Sequence, residues 1–206
     1  MISVIDLPPE LSIICNYFNE LKMHADGREE DHLTYGLHSE DTYVMDNDEC
    51  KGIAKFVLDC VKEYNNQILG FMVEEWQFSQ TWVSHKYPGQ SHEQHTHPNS
   101  VISAVLFYGS LNGETSPIRF HNSNFSINQN NLMVPVFING NFYNQNTVSE
   151  FSFNPGTLII FPSWLPHSVP ENKTRLVRKS VSMNIIPKGK LGDTHSLTEL
   201  LFNRVG

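Results

Sequence analysis

Charge is scarce in this 206-residue chain: only 17% of its residues are Asp, Glu, Lys or Arg, and acids outnumber bases by twenty-two to fourteen. A net charge of −8 lacks the basic surplus of a protein that grips nucleic acid through its phosphates, and argues against that partner. Nowhere do eighteen apolar residues run together, so no membrane span is expected. The opening Met1-Ile-Ser-Val-Ile-Asp-Leu-Pro-Pro-Glu10 has neither a basic start nor a long apolar run, and no secretory signal is expected from it. Cysteine is sparse too. Cys15, Cys50 and Cys60 form no CxxC and cannot all pair internally, which points to a reducing, cytoplasmic setting. Internal repeats and linkers rich in Gly, Ser or Pro are missing, and the length suits one domain, 1–206. What is plentiful is histidine (ten), phenylalanine (thirteen) and asparagine (twenty).

The first third reads as partly helical. Pro8-Pro9-Glu10 opens a segment with Leu11, Ile14, Phe18 and Leu21 at helical spacing. Residues 24–48 are polar and without period, as in a loop. A second helix is expected from about Asp48 to Ile68, with Ile53, Phe56, Val57, Cys60, Val61 and Tyr64 on one face and Gly70 as its stop. From residue 71 the pattern turns to strands. Phe71–Val83 alternates imperfectly, and Val101–Tyr108 is a nearly continuous apolar run that suits burial on both faces. Shorter strands follow at 117–120, 132–138, 148–153, 156–161 and 178–186, a spacing that suggests a sandwich, jelly roll or barrel. Segment 122–146 holds nine asparagines and no charged residue, and reads as a surface hairpin pair or a lid.

Three stretches carry chemistry. In Ser91-His-Glu-Gln-His-Thr-His-Pro98, His95 and His97 lie two apart, so on a strand both imidazoles point one way and can share a metal. His92 has the opposite parity and is expected on the other side. In Gly156-Thr-Leu-Ile-Ile-Phe-Pro-Ser-Trp-Leu-Pro-His167, a strand and a proline-bounded corner deliver a histidine into apolar surroundings. There its nitrogens need a metal or a backbone carbonyl. In Arg178-Lys-Ser-Val-Ser-Met-Asn184, alternation gathers Arg178, Ser180, Ser182 and Asn184 on one face. That face suits a carboxylate, or else is the polar outside of an edge strand. Trp76, Trp82 and Trp164 read as packing rather than as a substrate cleft.

Taken together, Trp82, Gln94-His95-Thr-His97-Pro-Asn-Ser100, Ser103–Tyr108, Phe161-Pro-Ser-Trp-Leu-Pro-His167 and Arg178–Asn184 resemble the 2-oxoglutarate/Fe(II)-dependent oxygenase superfamily over roughly residues 76–186. The likeness is to a subgroup found in phage and marine bacteria, which for a phage-encoded chain means the host cytoplasm. It implies a double-stranded β-helix, the cupin-like jelly roll, over 71–190; the first seventy residues contribute nothing to the likeness, and with the helices read there from spacing the fold expected is mainly β with N-terminal helices, 1–70 being a helical support. It implies Fe(II) and 2-oxoglutarate as cofactor and co-substrate, with O2 and an unidentified substrate as partners. The reaction implied is hydroxylation of that substrate, with release of succinate and CO2. Carried over by motif, His95 and His167 are metal ligands, Arg178 binds the far carboxylate of 2-oxoglutarate with Ser180 as helper, and Tyr108 is placed to reach that co-substrate. His97 is a departure, because most of the superfamily has Asp or Glu there; Glu93 is the alternative donor, and His97 is preferred.

Three other readings compete. A cupin-like protein shares Gly89 and His95-x-His97 but not the glutamate that should follow. A zinc enzyme using His95, His97 and His167 explains the histidines and leaves Arg178 unexplained. A non-catalytic phage protein stabilised by its metal is the third.

Overall fold

The computed structural model describes residues 2–8, 14–25, 35–109, 117–121, 137–138, 141–142, 149–151 and 154–202. From the N-terminus these form β1 (Ser3–Asp6), α1 (Ile14–Glu20), β2 (Met23–Ala25), β3 (Leu37–Ser39) and α2 (Lys51–Tyr64). Then come β4 (Glu75–Lys86), β5 (His92–His95), β6 (Ile102–Tyr108), β7 (Ile118–Phe120), β8 (Phe137–Ile138), β9 (Asn141–Phe142) and β10 (Ser149–Phe151). The last are β11 (Thr157–Pro162), β12 (His167–Val169), β13 (Arg178–Leu191) and β14 (Leu200–Phe202).

The strands sort into a larger sheet ordered β1-β11-β6-β13-β4-β3-β2, with β14 on β13, and a smaller one ordered β10-β7-β12-β5. From β4 to β13 the chain passes back and forth between the two sheets, so that β4, β6, β11 and β13 face β5, β7, β10 and β12. This is the jelly-roll arrangement expected from the sequence. Central β6 is buried throughout because β11 and β13 flank it and both of its faces are covered. Val105, Phe107, Ile118, Phe120, Ile159 and Phe161 fill the space between the sheets. A second, larger cluster packs the other face of the large sheet, through Leu106 and Val181, against Phe18 of α1 and Val57 of α2.

The helix expected near 48–68 is a 3-10 turn at Asp48–Cys50, then α2, then a π turn at Asn65–Leu69. Ile53, Val57, Val61 and Tyr64 form its buried stripe. Gly70 ends it at φ +70°, a left-handed conformation open to glycine, and its N–H donates to Asn65 O at 2.7 Å. The stretch 24–48 is not simply loop. It carries β2, β3 and a 3-10 turn at Val44–Asp46, elements too short to show a period. β4 runs to Lys86 and β13 to Leu191, each beyond the expected end. The expected start of the first helix and the side chains of the asparagine-rich 122–146 lie outside the described residues. Among the described residues, no helix is long and apolar enough to cross a membrane.

Candidate metal centre

β5 and β12 lie side by side in the small sheet, with His95 and His167 as register partners. His97 follows two residues after His95, beyond the strand, and its backbone N–H donates to Ser163 O at 3.0 Å, tying it to the corner that precedes His167. The three imidazoles therefore converge: their nearest ligand atoms lie within 4.8 Å of one another. His97 Nε2 and His167 Nε2 are 3.1 Å apart. Among the described residues this is the one group of three or more His, Cys, Asp or Glu side chains close enough to share an ion.

Hydrogen bonds settle which nitrogens face inward. His95 Nδ1 donates to Glu93 O at 2.8 Å and His167 Nδ1 to Leu165 O at 2.9 Å, so in the neutral form of each ring it is Nε2 that carries the lone pair. Burial first, and the neighbouring His95 second, push His97 down to about 4 and His167 down to about 3, so both rings are neutral at pH 7. Such donors fit a first-row dication: at nitrogen–metal lengths of about 2.1 Å, two ligands of one ion come as close as these two Nε2 atoms do. Glu93 does not join the group. It is exposed, and its backbone carbonyl, not its carboxylate, touches the site.

The histidines line one end of a cavity between the two sheets, whose floor is a ladder across β4 and β13. Ser182 pairs with Trp82, Ser180 with Ser84, and Arg178 with Lys86. Trp82 stacks on His97 with ring centroids 5.9 Å apart, so that rung marks the histidine end. Arg178 marks the other: it is 3% exposed, lies 4.7 Å over the Phe107 ring, and donates from Nη1 to Ser180 Oγ at 3.1 Å. Complete burial pushes its guanidinium down to about 10, still charged at neutral pH. Val105, Ile118 and Val169 supply apolar walls.

Two expectations need correction. Tyr108 is not in this cavity. On β6 it has the opposite parity to Val105 and Phe107, so it faces the helices, where it packs on Phe18 at 5.3 Å and meets His85 Nε2 at 2.7 Å. His92 does line the cavity, against its parity. The pairs His167↔His95 and Val169↔His92 differ by one residue in register, and this bulge turns His92 onto His95, ring centroids 4.1 Å apart.

Lys86 also lines the cavity; it lies beyond Val83, the expected end of its strand, and its parity with Trp82 is the one signal of it in the sequence. Asn184 sits beside the His97 ring and favours its charged form. Its Oδ1 is nonetheless buried without a partner in hydrogen-bond geometry. Trp76 is core, whereas Trp164 is 61% exposed at the corner before His167.

A sequence profile described as "Putative 2OG-Fe(II) oxygenase" matches residues 80–184, half of the chain and all of the ladder and histidine centre. No curated protein matches the chain. Solved structures do. A Pseudomonas putida prolyl-4-hydroxylase is similar at 16% identity and a TM-score of 0.58, covering 91% of this chain and 93% of its own. A 2OG-Fe(II) oxygenase family oxidoreductase from Burkholderia pseudomallei matches at 13% identity and 0.58, covering 88% and 84%. SnoN, a non-heme alpha-ketoglutarate-dependent epimerase of nogalamycin biosynthesis, matches at 9% identity and 0.64, covering 91% and 78%. Likenesses this distant in sequence establish the double-stranded β-helix fold, and the profile establishes the rest: the chain belongs to the 2OG-Fe(II) oxygenase family, and is an enzyme whose cofactor is Fe(II) and whose co-substrate is 2-oxoglutarate.

Proposed function

We propose that this enzyme hydroxylates its substrate, sending one oxygen atom of O2 to the substrate and the other to succinate, with CO2 as the third product. His95, His97 and His167 hold the metal, and Arg178, with Ser180, holds the carboxylate of 2-oxoglutarate remote from it. One observation carries this reading: a single cavity has three converging imidazoles at one end and a buried guanidinium at the other. Bound iron supplies the activation of O2 that oxidative decarboxylation of a 2-oxo acid requires.

The side chains do the rest. Leu165 and Glu93 carbonyls fix the tautomers of His167 and His95, and the Trp82 ring covers His97. The apolar walls exclude water, which strengthens the contact between Arg178 and a carboxylate. Three neutral donors leave the charge of the dication to be balanced by the dianionic co-substrate. Residues 1–206 act as one domain in this reading, with 1–70 as support. The continuous cluster from Phe18 and Val57 to Leu106 and Val181 favours it.

The test is succinate formation by the Fe(II)-loaded protein from 2-oxoglutarate and O2, together with the metal content of the protein as purified. Three imidazoles also suit zinc. Tight zinc with no binding of 2-oxoglutarate would replace this reading with that of a zinc enzyme.

A further inference from the structure

The cavity holds a second buried cation. Lys86 ends β4, is 2% exposed, and is the register partner of Arg178 on β13. Residues directly opposite each other on antiparallel strands share a face, so both side chains enter the same end of the cavity. Lys86 lies four positions beyond Trp82 on β4, about 13 Å of strand, with the Ser84–Ser180 rung between. The floor thus runs from the aromatic that covers His97, through two hydroxyls, to a rung of two cations.

The position of Lys86 is built in. Its Nζ donates to Tyr35 O, and Gly36 makes that approach possible: a Cβ on Gly36 would lie 2.4 Å from His85 O. Like charges facing each other across two strands repel. A carboxylate between them turns that repulsion into two charge-assisted contacts.

We propose that Lys86 is a co-substrate-binding residue, the second half of a two-cation clamp that closes with Arg178 on the remote carboxylate of 2-oxoglutarate. This rests on the reading of the cavity given above. Arg178 supplies the planar fork and Lys86 a point charge from the neighbouring strand. A ligand of the same length but without the remote carboxylate gains nothing from either.

The experiment is anaerobic calorimetry of the metal-loaded protein with 2-oxoglutarate and with 2-oxopentanoate, which lacks that carboxylate. Lys86→Met is expected to weaken 2-oxoglutarate about ten- to hundredfold, the usual worth of a hydrogen bond to a charged group. It should leave 2-oxopentanoate as in the wild type, and Lys86→Arg should keep most of the affinity. Equal binding of 2-oxoglutarate by wild type and Lys86→Met overturns the proposal. So does an equal loss for both ligands, which assigns Lys86 to holding Tyr35. Should Lys86→Met not fold, the unaltered chain decides. With zinc in place of iron, the 15Nζ signal of Lys86 should shift on adding 2-oxoglutarate and stay put with 2-oxopentanoate; matching responses overturn the clamp. A wild type that binds neither ligand instead removes the proposed function itself.

Discussion

Alternate residues of the same three strands go to opposite sides of the large sheet. Val83, Leu106, Tyr108, Val181 and Met183 face the helices and join a wholly enclosed apolar cluster. Their neighbours Trp82, Ser84, Lys86, Arg178, Ser180 and Ser182 face the cavity. One face is closed by hydrophobic burial, with His85 and Tyr108 paired to each other inside it. The other buries two cations and several hydroxyls, which costs folding free energy unless a ligand answers them. The site is therefore the place where the rules for a stable sheet are broken on a regular period, and the period makes the two faces separable by mutation. Cavity-face changes should weaken binding without lowering the stability of the ligand-free protein, and helix-face changes should lower stability without altering binding.

The largest effect expected is on the cavity face at His167. His167→Ala should lose bound metal and drop succinate formation to background, while the metal-free variant melts cooperatively. A variant that no longer folds gives this histidine a structural role and blurs the two faces. Next is Arg178→Ala. Removing one side of a buried charge-assisted pair costs about 3–5 kcal/mol, or roughly two to three and a half decades of 2-oxoglutarate affinity, with the metal retained. Arg178→Lys should recover part, since an ammonium cannot form the fork. Calorimetry without oxygen measures both, and equal binding by all three proteins removes Arg178 from the role.

Periodicity carried most of what was legible beforehand. Even-numbered Arg178, Ser180 and Ser182 share one face as alternation requires, and Gly70 ends the helix that the spacing of Ile53, Val57 and Val61 announced. Residues with no local period stayed hidden. β2 and β3 are three residues long, and their pairing is decided by the distant β4. His92 escaped because a bulge cancels parity, and no pattern within one strand reveals a bulge in its pairing with another. Lys86 gains its meaning only from lying opposite Arg178, a register fixed between residues ninety-two apart in the chain. Tyr108 was misplaced for a related reason: a strand buried on both faces does not say which face a given side chain joins.

On the helix face, acid should act through His85. His85 is pushed down to about 4, by burial first and then by Lys179, its register partner across the sheet. The unfolded chain protonates this ring near its ordinary value of 6.5, so between about pH 6.5 and pH 4 the unfolded state binds the extra proton. The contribution of His85 is thus fully present above about pH 6.5 and is lost as pH falls through about 4. Urea midpoints of the metal-free protein at pH 7, 5.5 and 4.5 should decline in that order. His85→Gln, which cannot titrate, should decline less over the same interval. Parallel declines would mean that the acid sensitivity lies elsewhere.

The smallest expected effect is the sharpest test of the two faces. Tyr108 ends β6 with its hydroxyl 2.7 Å from His85 Nε2 and 3.4 Å from Phe18 O, and its ring tilts against Phe18. Tyr108→Phe keeps the ring and its packing and removes the hydroxyl alone. His85 Nε2 then stays buried without its partner, at a cost of about 1–3 kcal/mol in the free energy of unfolding. Because Tyr108 points away from the cavity, the affinity for 2-oxoglutarate should not change. A lower urea midpoint with unaltered co-substrate binding places Tyr108 among the residues that hold the helices to the sheet. Weaker 2-oxoglutarate binding at unchanged stability would return Tyr108 to the co-substrate and undo the division between the faces.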